Sequence, residues 1–217
     1  MNPGEMPAAS PARSVDSTLE PALRSDEPIA AQERSGAGPR VWTFDAVYHT
    51  YASFVWRNAR RLGVPPAAVD DVMQEVFLVV HRRLSTFEER TSVRAWLSAI
   101  LIRVVRSWRR TTRKGGGARE LGPAVETDSL VDARTRSPLE HAERDEAVRE
   151  LYAVLASMDD ERREVLVLSE LEELTAPEIA DALQVNVNTV YWRLRTARRE
   201  FERILFRRRA ALAAGAR

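Results

Sequence analysis

The chain of 217 residues contains no cysteine, and Lys114 is the only lysine among its 33 basic residues. Without cysteine, disulfides and thiolate metal sites are excluded, which fits a reducing compartment and makes a cytoplasmic location the expectation. Without lysine, arginine is the default cation. An arginine therefore points to nucleic acid only through its position. Histidine is scarce as well: His49, His81 and His141 are too scattered to suggest a metal site or a catalytic base, and surface or packing roles are expected for them. No apolar run approaches the roughly 20 residues of a membrane span, and the acidic, proline-bearing N-terminus lacks a signal-peptide core, so no membrane insertion is expected. Strand alternation and internal repeats are missing too, which leaves helices as the building material.

A net charge of +1 gives no overall nucleic-acid signature, but the charges are segregated. Thr91 to Lys114 and Arg203 to Arg217 contain no acid, whereas Glu120 to Glu146 is acidic. Local charge carries more information than the total.

Residues 1–40 are rich in Pro, Ala, Ser, Gly and Glu without a helical period, and a disordered extension is expected there. Phe44, Val47, Tyr48, Tyr51, Phe54, Val55 and Ala59 then mark a long helix that runs to Leu62 and stops at the sequence GVPP. A second helix is predicted from about Pro66 to Leu84, with Val69, Val72, Met73, Val76, Phe77 and Val80 inside. A third starts near Ser92 and carries Trp96, Leu97, Ile100, Leu101, Val104, Val105 and Trp108. The triple glycine and prolines that follow break every period, so 112–137 reads as a flexible linker. A second helical unit spans 138–207 with helices over Val148 to Met158 and Glu161 to Glu170, and a basic, Ala-rich tail closes the chain at 208–217. The fold class expected is all-α: two small helical domains, 41–111 and 138–207, joined by the linker.

The second unit ends in LTAPEIADALQVNVNTVYWRLRTARREF, which reads as two amphipathic helices meeting at a turn around Gln184 to Asn186. Thr175 and Glu178 have the spacing of a capping box, and Pro177 fits the first turn, where its missing N–H costs nothing. Ile179, Ala180 and Leu183 share one face, and Val190, Leu194, Ala197 and Phe201 share the other, so the two stripes build one small core. Outside that core stand Asn188, Thr189, Tyr191, Trp192, Arg193, Arg195, Thr196, Arg198 and Arg199. A helix fits the major groove, where Asn pairs bidentately with adenine and Arg with guanine. The N-terminal end of the second helix, near a cap at Asn186, is the end that meets base edges in a helix-turn-helix. A helix pair with a solvated basic face is the competing reading. Gln184 stands in the turn where glycine would more cheaply turn left-handed, a cost on the order of 1 kcal/mol.

Taken together, DDVMQEVFLVVHRRLSTFEERTSVRAWLSAILIRVVRSWRR and LASMDDERREVLVLSELEELTAPEIADALQVNVNTVYWRLRTAR resemble a bacterial sigma factor of the extracytoplasmic-function branch of the sigma-70 family. The resemblance covers about Val41 to Arg207, and no segment resembles the middle domain of larger sigma factors. It implies a first domain that docks on the clamp of the largest catalytic subunit of RNA polymerase core and captures the melted downstream promoter element. A second domain would bind the double-stranded upstream element. Asp71, Gln74, Glu75 and Leu78, spaced i, i+3, i+4 and i+7, then become the polymerase-docking stripe. Without the resemblance they read as helix-starting acids and a solvated face.

For the downstream element the resemblance implies Phe87, Arg94, Arg103, Arg106, Ser107, Trp108, Arg109 and Arg110. Melted strands are held by cations along the backbone and aromatic platforms under the bases, although Trp96 and Trp108 also suit core packing. For the upstream element it implies Thr175, Asn186 and the outward residues of the second helix given above. The family often has Asn and Asp where this chain has Arg103 and Ser107, and Pro where it has Asp159, so a downstream promoter sequence is not carried over from relatives. Relatives are often held inactive by an anti-sigma factor, which makes such a protein a candidate partner. Neither a catalytic residue, a cofactor nor a metal is implied.

Two rivals come from other classes. Asp70, Asp71 and Glu75 could be proposed as Mg²⁺ ligands of a nuclease, but they share one helix beginning, with no second carboxylate cluster for a two-metal site. A stand-alone helix-turn-helix regulator would share the C-terminal half. Whether the first domain binds polymerase core decides between the two.

Overall fold

The computed structural model describes residues 42–87, 92–114 and 138–215. The expected N-terminal extension and most of the expected linker lie outside the described residues. Thr43 opens the first helix, its hydroxyl accepting from the Ala46 N–H at 3.2 Å. Helix α1 (Phe44–Arg61) has Asp45 in its first turn and Arg60 and Arg61 in its last, each charge placed to suit the helix dipole. It stops where expected: Gly63 takes φ +89°, and Pro65 is extended ahead of Pro66 at the start of α2 (Pro66–Arg83). A 3₁₀ turn, Leu84–Thr86, follows.

Helix α3 (Val93–Lys114) begins at Ser92, whose hydroxyl accepts from the Ala95 N–H at 3.2 Å. It runs three residues beyond the expected linker boundary, into Thr112, Arg113 and Lys114. Val47, Phe54, Val72, Val76, Leu97 and Leu101 are buried, and α1, α2 and α3 pack against one another around them. Burying a side chain of this size removes enough apolar surface to stabilise by about 1.5–3 kcal/mol.

The second unit comprises α4 (Pro138–Ala156), α5 (Asp160–Leu166), α6 (Ala176–Leu183) and α7 (Val187–Gly215). The Asp159 carboxylate caps α5 by accepting from the Glu161 N–H at 3.1 Å. The helix expected to be continuous from Glu161 to Glu170 instead loosens into a π turn at Val167–Leu171, where the Glu172 N–H donates to the Val167 carbonyl, five residues back. One extra residue per turn rotates everything after it, which an apolar period counted at 3.6 misses. Glu173 then takes φ 54°.

At α6 the capping box is present, with Glu178 accepting from the Thr175 N–H at 2.9 Å and from its hydroxyl at 2.7 Å. Gln184 is left-handed at φ 56°, ψ 50°, as the turn demands, and its side-chain amide donates to the Asp181 carbonyl at 2.6 Å. Helix α7 continues to Gly215, through most of the stretch marked as a tail. Among the described residues there is no strand, and no helix is long and apolar enough to cross a membrane.

The two units do not stand apart. Helix α3 packs against α6, and α1 touches α4.

Candidate nucleic-acid interface

The start of α7 is fixed by Asn186, whose side-chain oxygen accepts from the Asn188 N–H at 2.8 Å. From that cap Asn188, Tyr191, Trp192, Arg195 and Arg199 lie at i, i+3, i+4, i+7 and i+11, and all five are exposed. Tyr191 and Trp192 are 59% and 63% accessible, high values for two large aromatics side by side. Beneath the stripe, Val190, Ala197 and Phe201 are buried, and α7 packs on both α5 and α6, so the helix is held by one face while it presents the other.

The remaining residues expected on this surface are held at its flanks. Arg193 pairs with Glu161 at 2.7 Å, and Arg198 reaches Glu170 at 2.7 Å. The Thr196 hydroxyl donates to the Trp192 carbonyl at 3.0 Å, and Thr189 is half-buried. Thr175 is exposed at the start of α6.

On α2, Asp71, Gln74, Glu75 and Leu78 are exposed together, Leu78 at 50%. Gln74 and Leu78 also line a groove of about 590 Å³ between α1 and α2, together with Phe44, Tyr48, Met73 and Phe77. An apolar trough edged by the Asp70 carboxylate and the Gln74 amide is suited to a partner helix carrying apolar and basic side chains.

The cationic face of α3 is arranged differently. Arg103 and Arg110 are exposed, and Ser107 and Trp108 are half-buried. Phe87 is packed on Trp96, ring centres 4.8 Å apart. Arg94, Arg106 and Arg109 turn instead towards the second unit. Arg106 grips Glu164 through Nε and Nη2, at 3.1 Å and 2.6 Å, and this hydrogen bond raises its pKa against the opposing effect of burial. Arg109 reaches the same carboxylate at 3.1 Å and donates to the Leu62 carbonyl. Arg94 reaches Glu172 at 3.3 Å while its guanidinium lies 5.1 Å from the centre of the Phe54 ring. Arg61 also binds Glu172, at 2.7 Å.

Sequence reasoning did not single out Glu164, Glu172, Arg61 or Arg163. The side chains of Glu164 and Glu172 are 2% and 0% exposed, so they are the carboxylate centres of a buried network that joins the units. A signal was present: Glu164 stands directly before the apolar run Val165 to Leu168, where a solvated acid is out of place. The π turn brings Glu172 inward. Arg163 returns the contact from the other side, donating to the Leu62 carbonyl at 2.9 Å, so close to Gly63 that a Cβ there would overlap its guanidinium.

Two families of known proteins match the chain: sigma-70 region 2 over residues 47–115 and sigma-70 region 4 over residues 148–201. The ECF RNA polymerase sigma factor SigC of Mycobacterium tuberculosis is 31% identical over 180 residues, covering 80% of this chain and 89% of that protein. The RNA polymerase sigma factor CnrH of Cupriavidus metallidurans is 28% identical over 184 residues, with 83% and 94% covered. The solved structure of CnrH in complex with the cytosolic domain of CnrY is similar with a TM-score of 0.52 at 26% identity, covering 83% of this chain and 96% of that one. The sigma factor RpoE of Bartonella quintana, solved with the anti-sigma factor NepR, shares the fold with a TM-score of 0.57 at 17% identity and 75% of this chain covered.

Proposed function

Since the chain belongs to the sigma-70 family, in its extracytoplasmic-function branch, and is a transcription initiation factor, we propose how its residues divide that work. Asp71, Gln74, Glu75 and Leu78 on α2 dock the polymerase clamp. Asn188, Tyr191, Trp192, Arg195 and Arg199 read the upstream element in the major groove, with Arg193 and Arg198 as phosphate contacts at its flanks. Arg94, Arg103, Arg106, Ser107, Trp108, Arg109 and Arg110, with Phe87 at the adjoining loop, hold the melted downstream strand. The domains divide at 41–111 and 138–207.

The observation that carries this reading is the free stripe on α7 in the same chain as the exposed acidic and apolar stripe on α2. A stand-alone regulator would need only the first. Nucleotide chemistry belongs to the polymerase, and the chain contributes no catalytic group. It works in the cytoplasm, where promoter and polymerase are. CnrH was solved with the cytosolic domain of CnrY. By analogy, a regulator of that kind is proposed for this chain too.

Gel filtration of the purified chain with polymerase core tests the division. The chain is expected to co-elute with core, and Gln74→Ala with Glu75→Ala is expected to lose much of that binding. A chain that binds promoter DNA tightly but never co-elutes with core would instead be a stand-alone regulator.

A further inference from the structure

The outward stripe of α7 is built to do more than hydrogen-bond. Tyr191 and Trp192 are both exposed, and at i+3 and i+4 they stand on either side of the line that runs from Asn188 along the helix. Arg193, next in the chain, is bound to Glu161 at 2.7 Å with its side chain only 14% exposed. Thr196, one turn beyond Trp192, donates its hydroxyl to the Trp192 carbonyl at 3.0 Å and so uses its proton within the helix. Between Asn188 and Arg195 the stripe is therefore broad and aromatic, and its one arginine is engaged with a carboxylate.

An aromatic face has one good partner in the major groove. Guanine, adenine and cytosine present hydrogen-bonding atoms there, and a ring laid over those atoms takes their water and gives no partner back. Thymine adds an apolar group, its C5 methyl. The polar handles of the two side chains, the Tyr191 O–H and the Trp192 N–H, sit at the ring edge, where water or phosphate can satisfy them while the face stays on the base.

We propose that Trp192, with Tyr191 beside it, reads a thymine of the upstream element through its C5 methyl. The inference rests on the assignment of α7 to upstream reading and deepens it by naming a base. Four residues of helix rise about 6 Å and successive base pairs are about 3.4 Å apart, so the thymine stands within about two base pairs of the adenine read by Asn188. Specificity then comes from two unlike contacts on one stripe, a bidentate amide and an apolar ring.

The full chain, assembled with polymerase core, is used to enrich upstream duplexes from a random pool, and the position at which Asn188→Ala loses its preference marks the adenine. A thymine is expected within about two base pairs of it. Deoxyuridine in place of that thymine removes only the methyl and is expected to weaken binding about fourfold, the effect of one buried carbon. Trp192→Ala is expected to bind the two duplexes alike, with its melting temperature unchanged because the side chain is exposed. The deoxyuridine comparison on the unaltered chain needs no variant to fold.

Equal binding of the two duplexes by the unaltered chain, or a Trp192→Ala chain that keeps the fourfold preference, overturns the proposal. Equal binding alongside lost discrimination in Asn188→Ala removes the methyl contact alone and leaves upstream reading by α7 standing. A pool in which no duplex is enriched removes both.

Discussion

Two arginine-rich helices, α3 and α7, hold their cations in opposite ways. On α7 the stripe from Asn188 to Arg199 faces outwards, and Arg193, Arg198 and Arg209 are bound to carboxylates of their own unit. On α3 the comparable arginines are sunk into carboxylates of the other unit, 55 to 78 residues away in sequence. Arginine content alone would make the two helices equivalent. What separates them is the solvation of the partner: an exposed cation is free to exchange water for phosphate at little cost, whereas one in a buried pair must first leave an anion behind in a poorly solvated place.

The largest effect expected from breaking this contrast lies in the buried network. Glu164→Ala strips two arginines of their carboxylate and is expected to cost about 3–5 kcal/mol in urea unfolding, the range for one partner removed from a buried ion pair. A loss near zero would mean that the pair is solvated and that α3 and α7 are alike after all. On α7 the sign of the contrast reverses. Asn188→Ala and Arg195→Ala should leave the unfolding midpoint nearly unmoved, yet each should relax discrimination between matched and scrambled upstream DNA by about 1–3 kcal/mol per lost base contact. Equal losses on both DNAs would show that these residues only hold the backbone.

Much of this was legible in the sequence, and the gaps have physical reasons. The 3.6-residue period located α1, α2 and α3, and the helix-turn-helix followed from Thr175, Pro177 and Glu178 at one end and the Asn186 cap at the other. Even the left-handed Gln184 was expected, because a tight turn needs positive φ whatever residue occupies it. The π turn was not legible: Val165 to Leu171 has no proline, glycine or cap to announce it. The contact between units was hidden for another reason. A glutamate on a helix reads as solvated unless its partner is known, and the partners of Glu164 and Glu172 lie in a separate helical unit. The reading in the sequence was of two small domains joined by a flexible linker. The ion pairs show that they pack directly.

A smaller effect is expected at α2, where no charge is buried. Gln74→Ala with Glu75→Ala should weaken binding to polymerase core by about 1 kcal/mol or more, roughly fivefold, with thermal melting nearly unchanged. Normal core affinity would remove the docking stripe from the account. The smallest effect concerns the stretch between the units. Replacing Gly115 to Asp132 by a Gly/Ser tract of equal length should leave initiation close to wild type, because reach depends on length as roughly 5–6 Å times the square root of the residue number and hardly on sequence. Abolished initiation with intact core binding would make that stretch a working element in its own right.

The central claim is that this chain directs polymerase to promoters through two separate surfaces, and mapping transcript starts tests it most directly. Core polymerase alone and core with the purified chain are given the same genomic DNA, and the 5′ ends of the transcripts are sequenced. The account predicts new starts at a limited set of positions that share an upstream and a downstream element, with Asn188→Ala spreading the upstream element and leaving the downstream one intact. Start positions indistinguishable from those of core alone would contradict it.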